Sequence, residues 1–222
     1  MSQSPGFFRS SIGRKIIMAL TGVILVVYVL GHLVGNLQVY LPDGRESINA
    51  YGHFLHTFLH GWMIWAVRLV LLAAVGLHIW SATSLTLSSR AARRTGYREQ
   101  QWKESTYASR TMRWGGVIIL LFVIYHLLHF TTGAAHPDFV PGDVYHNFVT
   151  GFRSVPASIV YIVAILALGL HLRHGVWSMF QTLGVSHPRY MAIARAAAWI
   201  IAILVVVGNV SFPIAVLAGI VR

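Results

Sequence analysis

The sequence contains no cysteine and few acidic residues. Among 222 residues there is no Cys, and six Asp and Glu stand against 17 Lys and Arg. The missing Cys excludes disulfides, thiolate-bound zinc, iron–sulfur clusters and thioether-linked haem within this chain. Only 10% of the residues are charged and 56% are hydrophobic, whereas a soluble globular domain carries about 25% charged residues. This apolar content also excludes a disordered chain, so the composition indicates a membrane protein.

Five apolar stretches are long enough to cross a bilayer, which needs about 20 apolar residues in a helix. Helix is the expected structure because a chain in lipid must satisfy its own backbone hydrogen bonds. The charges within these stretches are Arg68 and Arg173 alone. The sequence therefore predicts one all-α transmembrane domain over residues 1–222, with spans at residues 16–41, 62–87, 114–132, 156–181 and 196–221.

The basic residues are unevenly distributed among the connecting segments. Twelve lie before the first span, between spans 2 and 3, and between spans 4 and 5, whereas three lie on the other side. This asymmetry predicts a cytoplasmic N-terminus and an external C-terminus. Nucleic-acid binding is not expected, because the basic residues flank spans and form no basic domain. The long inner segment 88–113 has two equally favoured interpretations. It is either an amphipathic surface helix that meets a cytoplasmic partner or a solvated loop near anionic lipid.

A histidine recurs at nearly regular spacing through the first four spans, as His32, His78, His126 and His171, with separations of 46, 48 and 45 residues. At 1.5 Å rise per residue, His32 and His126 lie about 24 and 18 Å from the inner face. His78 and His171 lie about 15 and 16 Å from it. In a bundle of sequential neighbours, spans 1 and 3 are diagonal partners, as are spans 2 and 4, so each layer presents two imidazoles across the bundle axis. Two facing imidazoles are the axial ligands of a six-coordinate haem b, so the pattern predicts two haems that carry electrons across the membrane.

Two further histidines leave the choice of ligands open at this point. His129 and His174 each follow a predicted ligand by three residues and share nearly the same helix face. Depth does not choose within each pair, and either extra histidine is a candidate to hold a haem propionate or a water. A single histidine in a span is commonly a hydrogen-bonded packing residue, but ionisable residues in membranes are costly and tend to mark function.

Short motifs accompany these histidines along the whole chain: SIGRK at 11–15, ALTG at 19–22, GHLVGN at 31–36, NAY at 49–51, Arg68, GLH at 76–78, YH at 125–126 and HLRHGVWS at 171–178. On these motifs the chain resembles the di-haem cytochrome b subunit of succinate dehydrogenase and fumarate reductase, in its five-helix, single-subunit form. The resemblance implies that His32 and His126 bind the outer, distal haem. It implies that His78 and His171 bind the inner, proximal haem, and so selects His126 over His129 and His171 over His174.

The resemblance also implies partners and a reaction. A flavoprotein with FAD interconverts succinate and fumarate, and an iron–sulfur protein passes electrons between the flavin and the membrane. This chain is then the membrane anchor, which carries electrons through its haems and holds the quinone site. The resemblance implies that menaquinone reacts near the distal haem, in the cytoplasmic membrane of a bacterium or archaeon. Some fumarate reductases of this type carry Glu two residues before the span-4 ligand, where this chain has Gly169; this difference favours succinate oxidation.

Other residues are candidates for supporting roles. Arg68 is expected to pair with a distal haem propionate, with snorkelling to the interface as the alternative. His53, His56 and His60 have i, i+3, i+7 spacing and are expected to share a helix face. They are candidates for the proton-handling wall of an outer quinone pocket, with plain interfacial histidines as the alternative. The remaining propionate candidates are Asn36 and, at the inner rim, Arg14, Lys15 and Arg113, for which contact with the iron–sulfur partner is the alternative.

Two other classes remain as alternatives. A nitrate reductase gamma-like subunit is similar in size and span number but concentrates its haem ligands on two helices, whereas here each of four spans carries one recurring histidine. A haem-free proton-coupled transporter is expected to show broken helices or paired intramembrane carboxylates. None of the five predicted spans contains Asp or Glu, which disfavours that class.

Overall fold

The computed structural model describes residues 6–92, 107–185 and 187–222, and within these ranges the chain forms helices and loops without strands. Five helices are long and apolar enough to cross a membrane. They are α1 Ser11–Asn36, α3 Trp62–Ala91, α4 Tyr107–His126, α6 Val155–Thr182 and α7 Pro188–Leu217, and two shorter helices are α2 Gly44–Thr57 and α5 Val144–Arg153. The predicted all-α transmembrane class is confirmed. Residues 93–106 of the inner segment lie outside the described residues, so its two interpretations stay open.

The long helices extend beyond the apolar stretches that predicted them. α1 begins at Ser11 rather than residue 16, because Ser10 Oγ accepts a hydrogen bond from Gly13 N at 2.9 Å and caps the helix. α7 begins at Pro188 rather than residue 196. Proline suits the first helical position, and the His187 side chain accepts a hydrogen bond from Arg189 N. Backbone hydrogen bonding continues past the apolar run, so hydropathy alone misplaces these helix ends.

Four of the long helices form a bundle, and α7 lies along its side. Within the described residues, α1 packs on α3 and α6, α4 packs on α6, and α7 packs on α6 and more lightly on α1 and α5. The diagonal pairs, α1 with α4 and α3 with α6, meet through histidine rings. Gly169 allows α6 and α7 to approach, because a Cβ atom there would collide with the Val206 side chain.

The outward faces of the long helices are apolar. Large side chains such as Val27, Leu69 and Leu72 are exposed over more than half of their surface. Soluble proteins rarely expose large contiguous apolar patches. This surface suits contact with lipid tails, in agreement with the lengths of the helices.

The apolar core lies at the predicted outer end of the bundle, where α2 and α5 cover it. Ile48 of α2, Phe148 and Phe152 of α5, and Phe212 of α7 are buried together there with Leu33 of α1. We call this layer the outer cap, made of α2 and α5. Because α5 contributes a dense apolar face over ten residues, the cap closes the end of the bundle.

Asp143 joins the two helices of the outer cap. Its Oδ1 accepts hydrogen bonds from His146 N at 2.9 Å, which caps α5, and from Asn49 Nδ2 at 3.0 Å. Its Oδ2 accepts from Arg45 Nη2 at 2.8 Å. Asn49 Oδ1 in turn accepts from Tyr145 N at 2.9 Å. The motif residue Asn49 therefore clamps α2 to α5.

A left-handed turn follows α2. Leu59 and His60 have φ of 51° and 55°, and Gly61 has φ of 82°. This conformation costs a non-glycine residue roughly 1–2 kcal/mol. The turn ends the helix before His60, so the prediction that His53, His56 and His60 share one helix face is wrong for His60.

Candidate functional site

Two pairs of histidines face each other inside the bundle. The ring centres of His32 on α1 and His126 on α4 are 5.8 Å apart. The ring centres of His78 on α3 and His171 on α6 are 6.2 Å apart. Each pair joins diagonal helices, and the two pairs occupy different levels of the bundle.

The separation within each pair suits a metal ion held between the rings. An imidazole nitrogen lies about 2 Å from a bound transition-metal ion, so two rings on opposite sides of one ion have centres about 6 Å apart. Among the described residues, no three His, Cys, Asp or Glu side chains gather into a metal centre. Two axial imidazoles, with the other coordination positions left to a macrocycle, are the ligand set of a six-coordinate haem.

Polar side chains contact three of the four facing rings. The contacts are Thr21 Oγ1 to His78 Nδ1 at 3.2 Å, Asn36 Nδ2 to His32 Nε2 at 3.2 Å, and Tyr161 OH to His126 Nδ1 at 3.1 Å. A hydrogen bond to one ring nitrogen fixes the tautomer and the orientation of an imidazole ligand. The rings are therefore held in place by the protein itself.

Unpaired polar atoms lie next to the second pair. Within the part of the chain that the structure describes, the buried atoms without a hydrogen-bond partner are Ser81 Oγ, His171 Nδ1, His174 Nδ1 and Trp177 Nε1. Leaving such an atom unpaired costs about 1–3 kcal/mol. Hydroxyl, imidazole and indole groups all donate hydrogen bonds, so Ser81, His174 and Trp177 suit the carboxylates of a haem held between His78 and His171. The residues present fit that group.

The two extra histidines do not face the opposite helix in the same way. His129 is only 1% exposed, its Nδ1 lies 3.2 Å from Tyr161 OH, and its ring stacks on Tyr125 at 5.3 Å. The α4 ring that faces His32 is that of His126. The ring of His174 packs edge-on against Trp177, with centres 5.9 Å apart.

Arg68 lies on α3 with its guanidinium 4.9 Å from the ring centre of Trp65. Trp65 is exposed on the apolar outer surface, whereas Arg68 itself is half-buried and close enough to α1 to act electrostatically on Tyr28. A contact between Arg68 and a haem propionate stays a prediction.

The three basic candidates at the inner rim have different surroundings. Arg14 Nη1 donates to Ser84 Oγ at 3.2 Å and to Ser88 Oγ at 2.9 Å, which fastens the start of α1 to α3. Lys15 and Arg113 are exposed at the same end. Arg14 therefore joins two helices of the bundle, whereas the exposed Lys15 and Arg113 are accessible to a partner.

A surface cavity of about 920 Å³ lies at the outer cap, between the turn after α1, α2 and the start of α5. Its polar lining comprises Asp43, Arg45, Glu46, Asn49, His53 and Tyr145. Of the three outer histidines, His53 lines this cavity. His56 Nδ1 instead donates to Gly52 O at 2.8 Å within α2.

Sequence reasoning missed Thr21, Tyr161 and Trp177 as neighbours of the histidines. Thr21 precedes His32 by 11 residues, which is about three helical turns. Helical periodicity therefore places Thr21 on the same face of α1 as His32, the face that meets the other histidines. Tyr161 had no such signal, because the histidine it contacts lies on another helix.

Comparison with known proteins gives two findings. The family model for the succinate dehydrogenase/fumarate reductase transmembrane subunit matches residues 89–210. The succinate dehydrogenase cytochrome b558 subunit of Bacillus subtilis (strain 168) is 27% identical over 190 residues, covering 82% of this chain and 86% of that protein. No solved structure matches the chain.

Proposed function

The chain belongs to the succinate dehydrogenase/fumarate reductase transmembrane subunit family, whose model matches residues 89–210, and on that premise we propose that it is the membrane anchor and di-haem electron-transfer subunit of a succinate:quinone oxidoreductase. One observation carries the proposal: two diagonal helix pairs each bring two imidazoles to ring-centre distances of 5.8 and 6.2 Å. A structural histidine does not need a second imidazole across the bundle axis, and a six-coordinate haem does.

In this proposal His32 and His126 hold the distal haem, and His78 and His171 hold the proximal haem. A haem at each pair supplies one-electron transfer between its ferric and ferrous states. Polar side chains of the chain itself contact three of the four rings, those of His32, His78 and His126. Thr21 orients the His78 ring through a contact of 3.2 Å. The surrounding apolar helices keep water from the rings.

The inner end of the bundle is the proposed docking side for the partners, a flavoprotein with FAD and an iron–sulfur protein. The positive-inside count supports a cytoplasmic position for this end, and the family type implies the membrane of a bacterium or archaeon. The chain has no Cys, so the iron–sulfur clusters must lie on another subunit. Lys15 and Arg113 are exposed there and suit acidic groups on a partner.

The outer cap is the proposed side for quinone, in this family type menaquinone. The cavity of about 920 Å³ is lined by His53 together with apolar Val39, Leu41 and Ile220. A quinone needs an apolar wall for its ring and tail and a proton carrier near its oxygens, and imidazole titrates near neutral pH. His53 is therefore the proton-exchanging candidate, with His56 and His60 outside the lining.

The proposed physiological direction is succinate oxidation. The family variants with a compensating proton path carry a Glu at the position of Gly169. Here a Cβ atom at that position would collide with Val206 on α7. The close packing of α6 on α7 supports a chain without that carboxylate.

A pyridine haemochrome assay of the purified subunit tests the haem assignment. We expect two protohaems per chain, one after His126→Ala, and two after His129→Ala, which removes a neighbouring imidazole as a matched control. The same contrast is expected between His171→Ala and His174→Ala. Absence of haem absorbance would refute the proposal, and loss of haem in the control variants alone would reverse the ligand assignment.

Purification and kinetics test the partner and quinone assignments. An affinity tag on this chain is expected to recover a flavoprotein and an iron–sulfur protein. In that complex, His53→Ala is expected to lower succinate:menaquinone activity severalfold, whereas His56→Ala leaves it near the wild-type value. Equal effects of the two variants would contradict the assignment of the cavity.

A further inference from the structure

The hydroxyl of Tyr161 lies between two imidazoles. It is 3.1 Å from His126 Nδ1 and 3.2 Å from His129 Nδ1. Tyr161 stands on α6 and is 6% exposed, whereas both histidines stand on α4 and the π turn that extends it. The side chain therefore forms a polar link across two helices inside an apolar layer.

Aromatic rings hold Tyr161 on several sides. Its ring centre lies 4.9 Å from that of Phe122 and 5.0 Å from that of Phe152, both nearly perpendicular, and 5.6 Å from that of Phe130. Edge-to-face packing of this kind restricts ring reorientation. The hydroxyl oxygen is thus kept at one position relative to His126.

The proton count gives this link a direction. A phenol hydroxyl has one proton to donate and lone pairs to accept. If His126 binds a metal through Nε2, as in the proposed function on which this inference rests, its only remaining proton is on Nδ1. His126 then donates to the Tyr161 oxygen, and Tyr161 donates its own proton to His129 Nδ1.

We propose that Tyr161 is a positioning residue for the distal haem ligand, accepting the Nδ1 proton of His126 and passing the hydrogen-bond chain on to His129. Such a partner fixes the tautomer of a ligating histidine and raises its basicity. A more basic axial ligand stabilises the ferric form. His171, the proximal ligand on the helix that carries Tyr161, has no partner for its Nδ1 among the described residues, and the other proximal ligand, His78, contacts Thr21. The tyrosine link therefore acts on the distal ligand.

Tyr161→Phe tests this role, because it removes the hydroxyl and keeps the packed ring. We expect two haems per chain and a shift of roughly fivefold to tenfold in the ferric/ferrous equilibrium of the distal haem toward the ferrous form. The proximal equilibrium is expected to stay unchanged. A redox titration followed by the α-band absorbance of each haem, with its electron paramagnetic resonance signal, measures both.

Tyr125→Phe is the matched control, since it removes a hydroxyl from the same aromatic cluster without touching the His126 contact, and both haems should then titrate as in the wild type. His129→Leu is the second variant, and its redox titration provides the test if Tyr161→Phe fails to retain haem. It removes the acceptor of the Tyr161 proton, and we expect a smaller distal shift in the same direction because the hydroxyl is less polarised.

Unchanged distal potentials in the haem-replete variants, or equal shifts of both haems, would overturn the proposal. Haem loss after His126→Ala is a separate result that bears on the ligand assignment alone. The role of Tyr161 and the proposed function therefore fail by different measurements.

Discussion

Replacing Asp143 with alanine is expected to loosen the outer cap. The carboxylate accepts three hydrogen bonds, from His146 N, Asn49 Nδ2 and Arg45 Nη2. Asp143→Ala removes the cap of α5 and both links to α2. The amide of Asn49 then loses an acceptor in a partly buried position.

The size of the effect follows from these contacts. Loss of an N-cap costs about 1 kcal/mol, and a hydrogen bond to a charged acceptor contributes about 1.5–3 kcal/mol. The Arg45 side chain is 66% exposed, so its ion pair contributes less than about 1 kcal/mol. Because the three contacts share one carboxylate and do not add fully, we expect a total loss of about 2–4 kcal/mol.

The same carboxylate predicts a pH dependence. Burial acts most strongly and raises the pKa of Asp143, but hydrogen bonds from His146, Asn49 and Arg45 together outweigh it and hold the pKa below its usual value of 3.8. A group with a lowered folded-state pKa contributes stability above the unfolded-state pKa and loses it as the pH falls through the folded-state value. The difference between wild type and Asp143→Ala is therefore expected to narrow below about pH 4.

Thermal unfolding of the purified protein in detergent, at pH 7 and at pH 3.5, measures both effects. At about 2–4 °C per kcal/mol, a loss of about 2–4 kcal/mol should lower the midpoint of Asp143→Ala at pH 7 by about 4–16 °C. Asp138→Ala is the matched control, because its side chain is 68% exposed and its ion pair among the described residues is with His146; it should lower the midpoint by no more than about 3 °C. Equal midpoints for the two variants, or a gap that widens at low pH, would refute the reasoning.

Two further substitutions probe helix packing. Gly169→Ala is expected to cost about 1–3 kcal/mol through the clash with Val206, whereas Gly115→Ala, with open space around its Cβ position, should not destabilise; equal unfolding midpoints would contradict this. Ser158→Ala should cost about 1–3 kcal/mol, because the buried hydroxyl donates to Phe152 O at 2.7 Å and the carbonyl loses its donor; an unchanged midpoint in detergent would show that water replaces the donor.

The spans and the family were predictable from the sequence. Long apolar runs have few outcomes in lipid, so five helices followed from hydropathy, and the family resemblance drawn from GHLVGN and HLRHGVWS is confirmed by the family match. The recurrence of histidines in the first four spans also anticipated which helices pair across the bundle, since diagonal pairing follows from span order, whereas the choice of His126 over His129 and His171 over His174 came from the family resemblance.

The outer cap and the role of Tyr161 were not predictable. α2 and α5 are short and amphipathic, and no apolar run marks them. The left-handed turn at Leu59 and His60 occurs at residues that rarely adopt this conformation, so a continuous helix was expected there. Tyr161 meets His126 and His129 through the packing of α6 on α4, a contact that no local spacing encodes.

The pairing of the histidines has a consequence for assembly. Each pair takes one ring from the amino-terminal half, α1 or α3, and one from the carboxyl-terminal half, α4 or α6. A group bound between such rings links the two halves of the chain, once at each level. Binding to the folded state alone adds stability by mass action, so cofactor supply becomes a determinant of folding yield. If haem binds there, the halves of a chain divided within residues 93–106 should reassociate more fully with haem than without it, because haem adds to the packing of α1 on α6 and of α2 on α5.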